Sequence, residues 1–353
     1  MDSSSAPTET TGAVPAKDTR WIRRRSSWIL LFSLLLASVL LYFTLRDLDW
    51  LVFWKTIRNG HYEFLLLTIP IASTNYFLRT LRWSIFLRSE KKIPILSVFW
   101  ANMVGYMGNA YLPARAGELL RSAFLGQKSG LGTSFVFATA LVERILDAFI
   151  LLLIGSISLL WLGNITPWLT NTVYIMALAG ILGLAVVIAA PFQEKMIQRL
   201  FGWLPLPPKI SQLISKKITR FLVGMRCLQS WPKLLTFILL TAVIWLEDAV
   251  ASMLGVRIIS QTLNLGEALI LKSTLGLSSA VPSTPGYVGV FQFVAVMVLV
   301  PFGFSRPEAL AYIIFSQIIN YLVVSFWGML GLWQLNKNKQ FAGVNLKRAN
   351  HSK

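Results

Sequence analysis

The chain has 353 residues, of which 55% are hydrophobic and 14% charged, and its mean hydropathy is +0.62. Soluble domains carry about 25% charged residues, so this composition excludes an ordinary soluble enzyme. The net charge of +18 would also suit a nucleic-acid binder, but the basic residues cluster at the ends of apolar segments, which is typical of membrane proteins. We therefore predict a membrane protein that does not bind nucleic acid.

Several apolar stretches reach the roughly 20 residues needed to cross a bilayer, and they are continuous rather than alternating. Such stretches predict an all-α polytopic membrane protein, because a helix satisfies its own backbone hydrogen bonds in lipid. The predicted segments are 28–45, 62–87, 93–112, 133–162, 169–192, 234–256, 269–281, 288–302 and 309–335. Residues 20–335 form one transmembrane domain in this interpretation, between a disordered tail at 1–19 and a basic cytoplasmic tail at 336–353.

A polar stretch at 193–233 interrupts the apolar segments. Its core, 209–228, has apolar residues at helical spacing, with Lys216, Lys217 and Arg220 between them. This pattern predicts a helix lying on the cytoplasmic membrane surface. A soluble helix packed on the ends of the other helices remains the alternative.

Charge predicts the orientation. Basic residues are concentrated before the first segment, at the end of the second, in 193–233 and in the C-terminal tail. The loops 163–168 and 257–266 hold one basic residue between them. The positive-inside rule then places both termini in the cytoplasm of a plasma (inner) membrane protein.

This orientation requires residues 93–131 to return to the cytoplasmic side and residues 269–301 to return to the outer side. Each is either a re-entrant hairpin or a pair of spans, and we predict re-entrant hairpins that enter the membrane from opposite faces. Each contains a Pro-x-x-x-Gly break, at Pro113–Gly117 and Pro282–Gly286. Matched breaks in two halves of opposite topology predict an inverted repeat of helix–re-entrant hairpin–helix units. A chance match or a structural kink is the alternative.

Charged residues follow the first break. Arg115, Glu118 and Arg121 are spaced three apart, so they share one helix face. Two arginines beside one carboxylate leave excess positive charge, which suits a phosphate. A solvated cytoplasmic cluster is the alternative.

Two further groups of charges lie inside apolar segments. Glu143, Arg144 and Asp147 occupy about one turn of one segment, and Glu247 and Asp248 lie near the centre of another. Charges at such depth are costly, so we expect them to face a cavity or a partner. Glu247 and Asp248 are predicted to pair with Arg79 or Arg82 or to carry protons, and a structural ion pair between helices is the alternative. Lys272, at the start of the second hairpin, is a weaker candidate.

Four motifs occur in order: Asn75-x-x-x-Arg79-x-x-Arg82-Trp83, Asn109-x-x-Leu112-Pro113-x-Arg115-x-Gly117-Glu118-x-x-Arg121, Glu143-Arg144-x-x-Asp147 and Pro282-x-x-Pro285-Gly286-x-x-Gly289. Together they resemble the flippase-like transmembrane domain of lysylphosphatidylglycerol synthases, over about residues 25–335. The resemblance implies movement of a polar-headed lipid between leaflets. The residues predicted to bind the substrate are Asn109, Pro113, Arg115, Gly117, Glu118, Arg121, Glu143, Arg144, Asp147, Pro282, Pro285 and Gly286.

The chain departs from the family in having no soluble aminoacyltransferase domain, and it has Gln317 where the last helix of the family often carries an arginine. We predict a flippase-like transporter of a phosphate-containing lipid or lipid-linked glycan, with a phospholipid or a polyprenyl-linked lipid as its partner and without a cofactor or a metal. One alternative is a membrane-embedded transferase that uses Glu118 or Asp147 as general base. Another is a scaffold subunit for a separate lipid-modifying enzyme.

Overall fold

The computed structural model describes residues 19–163, 167–193, 219, 221–280 and 284–351. The prediction for Pro282 and most of the predicted surface helix therefore fall outside the described residues, as does the tail before Thr19. Over the described ranges the regular structure is helical, with no strand. The prediction of an all-α fold is confirmed.

Seven helices precede the undescribed stretch at 194–218. They are α1 (Thr19–Leu45), α2 (Trp50–Arg58), α3 (Glu63–Leu87), α4 (Ile95–Tyr111), α5 (Ala116–Ser129), α6 (Thr133–Leu162) and α7 (Pro167–Ala189). The described residues after it include α8 (Trp231–Gly255), α9 (Leu265–Ser278), α10 (Val290–Leu299) and α11 (Arg306–His351). Because α11 continues to His351, the residues beyond the predicted end at 335 extend the last helix.

Within the described ranges, six stretches are long and apolar enough to cross a membrane: Glu63–Leu87, Thr133–Leu162, Thr170–Gln193, Trp231–Ile259, Pro285–Phe302 and Arg306–Leu335. A seventh is formed if α1 and α2, which meet at 90°, count as one span. The polytopic membrane assignment is thereby confirmed. The inverted repeat and the re-entrant course of the hairpins remain predictions.

Helix α2 was absent from the predicted segments. Its start is set by Asp49, whose carboxylate accepts hydrogen bonds from the backbone N–H groups of Leu51 and Val52 at 3.0 and 3.1 Å. An aspartate just before a short apolar run is an N-cap signal that sequence reasoning can use. The helix packs against α11 and thereby joins the first and last parts of the chain.

The first predicted hairpin consists of α4 and α5, which pack along each other and are joined by a 3₁₀ turn at Pro113–Arg115. Their approach depends on Gly117, because a Cβ atom there would lie 1.9 Å from the carbonyl oxygen of Gly105. With 17 and 14 residues, both helices fall short of a full span.

The second predicted hairpin consists of α9 and α10, which also pack on each other. A 3₁₀ turn at Pro285–Tyr287 lies between them, and this turn contacts the 3₁₀ turn of the first hairpin. Both hairpins pack on the long helices: α5 and α9 on α6, α4 and α10 on α11. The two breaks therefore contact each other.

Candidate functional site

A cavity of about 300 Å³ lies where the two hairpin breaks meet, bounded by α3, α4, α6, α8, α9 and α11. Its wall is partly apolar and partly charged. The charged residues that line it are Arg79, Arg115, Arg144, Lys272, Glu247 and Asp248.

Arg115 connects the two breaks. Its backbone has φ +54°, the left-handed conformation that non-glycine residues seldom adopt. Its guanidinium donates hydrogen bonds to the backbone carbonyl of Ser279 and, at 2.6 Å, to the Ser279 hydroxyl. The same guanidinium lies 5.8 Å from the centre of the Tyr287 ring. One side chain from the first break thus contacts both flanks of the second.

Glu118 lies between two cavity arginines. Its carboxylate accepts a 2.9 Å hydrogen bond from Arg144 Nε and lies 3.9 Å from Arg115 Nη1. Glu118 itself does not appear in the cavity wall. It holds the two arginines from behind and leaves them facing the cavity. The predicted pairing of Arg115 with Glu118 is present, whereas Arg121 turns elsewhere.

A second charged group surrounds Asp248. Arg79 donates to Asp248 Oδ2 at 2.6 Å, and the Lys272 ammonium lies 3.9 Å from Asp248 Oδ1. Arg79 is oriented by Asn75, whose Oδ1 accepts from its Nε at 2.7 Å, and by the Trp245 ring at 5.0 Å. Of the two partners expected for the carboxylates on α8, Arg79 is the one observed for Asp248.

The second break is held by neutral groups. Gly286 has φ +64°, and a Cβ atom there would lie 1.7 Å from the Tyr321 hydroxyl, so only glycine fits. The Gly286 carbonyl accepts hydrogen bonds from Gln317 Nε2 at 3.1 Å and from the Tyr321 hydroxyl at 3.3 Å. Gln317 in turn accepts from Gln292 Nε2, and Gln292 accepts from the Gly289 N–H. A chain of hydrogen bonds through two glutamine side chains therefore fixes this turn.

A third group of charges is buried away from the cavity. Arg82 has no exposed surface, and its two terminal nitrogens donate to both carboxylate oxygens of Asp147 at 2.7 and 2.9 Å. It also donates to Glu143 Oε1 at 3.0 Å. This is a bidentate arrangement of the strong kind.

Arg121 completes this group. It lies 3.4 Å from Glu143 Oε2 and donates to Asn102 Oδ1 at 2.6 Å. Its guanidinium stacks over the Trp83 ring at 4.5 Å. Two arginines and two carboxylates cancel in charge here, so the group ties α3, α5 and α6 together. We name Arg82, Arg121, Glu143 and Asp147 the buried network.

The structure separates the residues predicted from sequence into three sets. Those in the cavity wall are Asn109, Arg115, Arg144, Gly286, Arg79, Glu247 and Asp248. Those in the buried network are Arg82, Arg121, Glu143 and Asp147. Those that shape the two breaks or support the arginines are Pro113, Gly117, Pro285 and Glu118. Substrate binding by any of them remains a prediction.

Sequence reasoning missed the aromatic part of the wall. Tyr76, Tyr106, Tyr287, Tyr321 and Trp245 all line the cavity. Tyrosines within apolar segments were the available signal, because a buried phenol needs a hydrogen-bond partner. Among the described residues, no group of three or more side chains is arranged to hold a metal ion.

Comparison with known proteins identifies the family. Residues 30–328 match the family described as the lysylphosphatidylglycerol synthase TM region. The chain is 24% identical, over 240 residues, to the UPF0104 membrane protein MJ1078 of Methanocaldococcus jannaschii, covering 65% of this chain and 94% of that protein. No solved structure matches. The chain therefore belongs to the lysylphosphatidylglycerol synthase TM region family and is an integral membrane protein related to lipid handling.

Proposed function

We propose that this protein moves a phosphate-containing, polar-headed lipid between the leaflets of a membrane. The observation that carries the proposal is the cationic surplus of the cavity: four basic side chains line it, against two carboxylates in the wall and a third, Glu118, behind it. A lipid phosphate entering this space would be neutralised by charges already in place. The volume of the cavity, about 300 Å³, lies at the lower end of the range for small-molecule sites.

Arg115 and Arg144 are the proposed phosphate ligands. Arginine suits this role because its planar donors match phosphate oxygens. Their shared partner Glu118 lies behind the wall and keeps both guanidinium groups in position. Because Arg115 also contacts Ser279 and Tyr287, a headgroup bound to it would contact both hairpins at once. Relative movement of the hairpins would then carry the headgroup across.

The lipid tails are proposed to remain in the bilayer. Part of the cavity wall is apolar and is formed by Ile71 and Ala72 of α3 and Ile319 of α11. This wall suits the glycerol backbone and the first carbons of the acyl chains. The proposed path therefore runs beside α3 and α11.

The test is leaflet exchange of a fluorescent phospholipid in liposomes that contain the purified protein. Label in the outer leaflet is quenched with a membrane-impermeant reductant. The wild-type protein should make the inner-leaflet pool accessible, and Arg115→Ala should reduce the rate at least tenfold. Arg257→Ala is the matched control, because Arg257 is exposed and does not line the cavity. A wild-type protein that moves none of a broad panel of anionic and sugar-linked lipids would overturn the proposal.

The transferase alternative is less well supported by the site. A general base must be able to accept a proton from its substrate. Asp147 accepts hydrogen bonds from Arg82 at both oxygens, and Glu118 forms an ion pair with Arg144. Neither carboxylate lines the cavity. Analysis of lipid extracts separates the two functions, since a transferase makes a new chemical species and a transporter changes only the leaflet.

We also propose a plasma-membrane location with both termini in the cytoplasm. The proposal is supported by the clustering of basic residues described above. Fusion of a cytoplasm-active fluorescent protein to the C-terminus should give signal, and fusion of a phosphatase active only outside the cytoplasm should not. The opposite result would show that the C-terminus lies outside the cytoplasm and would overturn the proposed orientation.

A further inference from the structure

The cavity wall contains more polar and charged groups than are needed to bind a phosphate. Its two charged groups are separated along α9, where Ser279 contacts Arg115 and Lys272 lies near Asp248. These two positions are seven residues apart, which corresponds to roughly 10 Å along a helix. A phosphate bound at Arg115 and Arg144 would leave the Lys272 end of the cavity unfilled.

The Lys272 end is electrically balanced. Arg79 and Lys272 both lie beside Asp248, and Glu247 lines the same wall, so two formal positive charges offset two negative ones. An ammonium group placed there would gain no net charge attraction. The surplus of positive charge therefore belongs to the Arg115 end, and the far end suits a neutral group.

Four residues in the wall keep a buried polar atom that has no hydrogen-bond partner within the described structure. These atoms are Asn109 Oδ1, Glu247 Oε2, Arg115 Nε and Trp245 Nε1. Trp245 is only 7% exposed, so water does not readily satisfy its N–H. Buried polar groups are nearly always paired in proteins, so unpaired donors and acceptors in a cavity wall are available to a ligand.

Asn109 Oδ1 and Arg115 Nε lie at the first break, which is the phosphate end. The far end therefore has one unpaired acceptor, Glu247 Oε2, and one unpaired donor, Trp245 Nε1. A hydroxyl group both donates and accepts, whereas an ammonium group only donates and an ester only accepts. Tyr76 and Tyr106 add apolar aromatic surface to the same wall, whereas the face of the Trp245 ring lies against Arg79.

From this geometry we infer that the headgroup carries a neutral cyclic polyol, a sugar or an inositol, attached to its phosphate and lying between Trp245 and Glu247. The inference rests on the proposed function in one respect, namely that the cavity admits a lipid headgroup. It adds the class of headgroup, which the phosphate ligands alone do not select.

Binding of short-chain, water-soluble lipids to the full-length protein in detergent tests the inference independently of transport. The probes share the same acyl chains and differ only in headgroup: phosphatidylinositol, phosphatidylglycerol, phosphatidic acid, phosphatidylethanolamine and lysylphosphatidylglycerol. Phosphatidylinositol should bind at least fivefold more tightly than phosphatidic acid, about the effect of one net hydrogen bond. Equal binding of all five, or tighter binding of either ammonium-bearing lipid, would overturn the inference.

Trp245→Phe sharpens the test, because it keeps an aromatic ring and removes only the N–H donor. It should weaken phosphatidylinositol binding about fivefold and leave phosphatidic acid binding unchanged. Trp161→Phe is the matched control, since Trp161 is 70% exposed and lies outside the cavity. If Trp245→Phe weakened both lipids equally, its role would be structural and the inference would fail.

Glu247→Gln provides a second, independent variant. The amide retains an oxygen acceptor for a hydroxyl but loses the charge that an ammonium would require. Phosphatidylinositol binding should therefore survive within about twofold, and a complete loss would contradict a neutral ligand. Failure of leaflet exchange with the binding preference intact would overturn the transport proposal alone. Exchange without headgroup preference would overturn this inference alone.

Discussion

Arg79 and Arg82 lie three residues apart on α3, yet their surroundings differ completely. Arg82 is fully buried and donates three hydrogen bonds to the carboxylates of Asp147 and Glu143. Arg79 lines the cavity and has one carboxylate partner, Asp248, which it shares with Lys272. Two arginines on one helix thus belong to two different kinds of site.

The difference shows how a membrane helix bundle uses charge. In the buried network the charges cancel and their terminal donors and acceptors are largely matched, so the group stabilises the packing of α3, α5 and α6. In the cavity the cations outnumber the carboxylates of the wall. Charges that cancel within a closed network stabilise a fold, whereas a surplus of one sign at a cavity is available to a ligand.

Removal of Arg82 should have the largest effect on stability. In Arg82→Ala the carboxylates of Asp147 and Glu143 lose their main partner while still buried, which typically costs about 3–5 kcal/mol. Unfolding of the detergent-purified protein by a denaturing detergent, followed by tryptophan fluorescence, measures the loss. Arg88→Ala, at the exposed end of the same helix, should be near neutral. An unchanged unfolding midpoint for Arg82→Ala would show that the network is dispensable.

The first hairpin should be the next most sensitive region. Gly117→Ala places a methyl group 1.9 Å from the Gly105 carbonyl oxygen, so α4 and α5 must move apart. Overpacking of this kind costs about 1–3 kcal/mol. Gly266→Ala is the control, because its new methyl group would meet nothing closer than 3.4 Å. Equal stability of the two variants would mean that the hairpin separates without cost.

Arg79→Ala should affect transport more than stability. Lys272 remains 3.9 Å from Asp248 and limits the loss to about 2 kcal/mol, the usual contribution of one charged hydrogen bond. The rate of leaflet exchange should nevertheless fall severalfold, since the cavity loses one of its four cations. The same two measurements on Arg82→Ala should show a larger effect on stability than on transport. If Arg79→Ala destabilised the protein as much as Arg82→Ala, the distinction between the two sites would be wrong.

Tyr321→Phe should have a smaller effect. It removes the hydroxyl that donates to the Gly286 carbonyl at 3.3 Å, but Gln317 still donates to that oxygen. The expected loss is about 0.5–1 kcal/mol, measured by the same unfolding experiment. Combination with Gln317→Leu should cost more than the two single changes added together, because the carbonyl then loses both donors. Simple additivity would count against a shared role.

The exposed pair of Arg306 and Asp47 should contribute least. Their side chains are 44% and 65% exposed, and their closest atoms lie 3.4 Å apart. Exposed ion pairs contribute about 0–1 kcal/mol and are screened by salt. Arg306→Ala should therefore leave the unfolding midpoint nearly unchanged. A large loss would contradict the weak contribution expected of an exposed pair.

Hydropathy and charge by themselves determined the class of this protein and the position of its spans. These properties act within a segment, because about 20 apolar residues in lipid must form a helix whatever surrounds them. The residue type alone also predicted the break at Pro113, since proline lacks the backbone donor that a helix interior needs. It missed α2, whose length of nine residues gives too little periodicity to stand out.

The division of the charged residues between the buried network and the cavity was decided only by the tertiary structure. Asp147 meets Arg82 across 65 positions of sequence, and Gln317 reaches Gly286 across 31. Spacing along one helix shows which residues share a face, but the face that a neighbouring helix covers depends on how all the helices pack. For this reason Glu143 and its sequence neighbour Arg144 looked alike in the sequence, and the fold buried the one in a closed network and left the other facing the cavity.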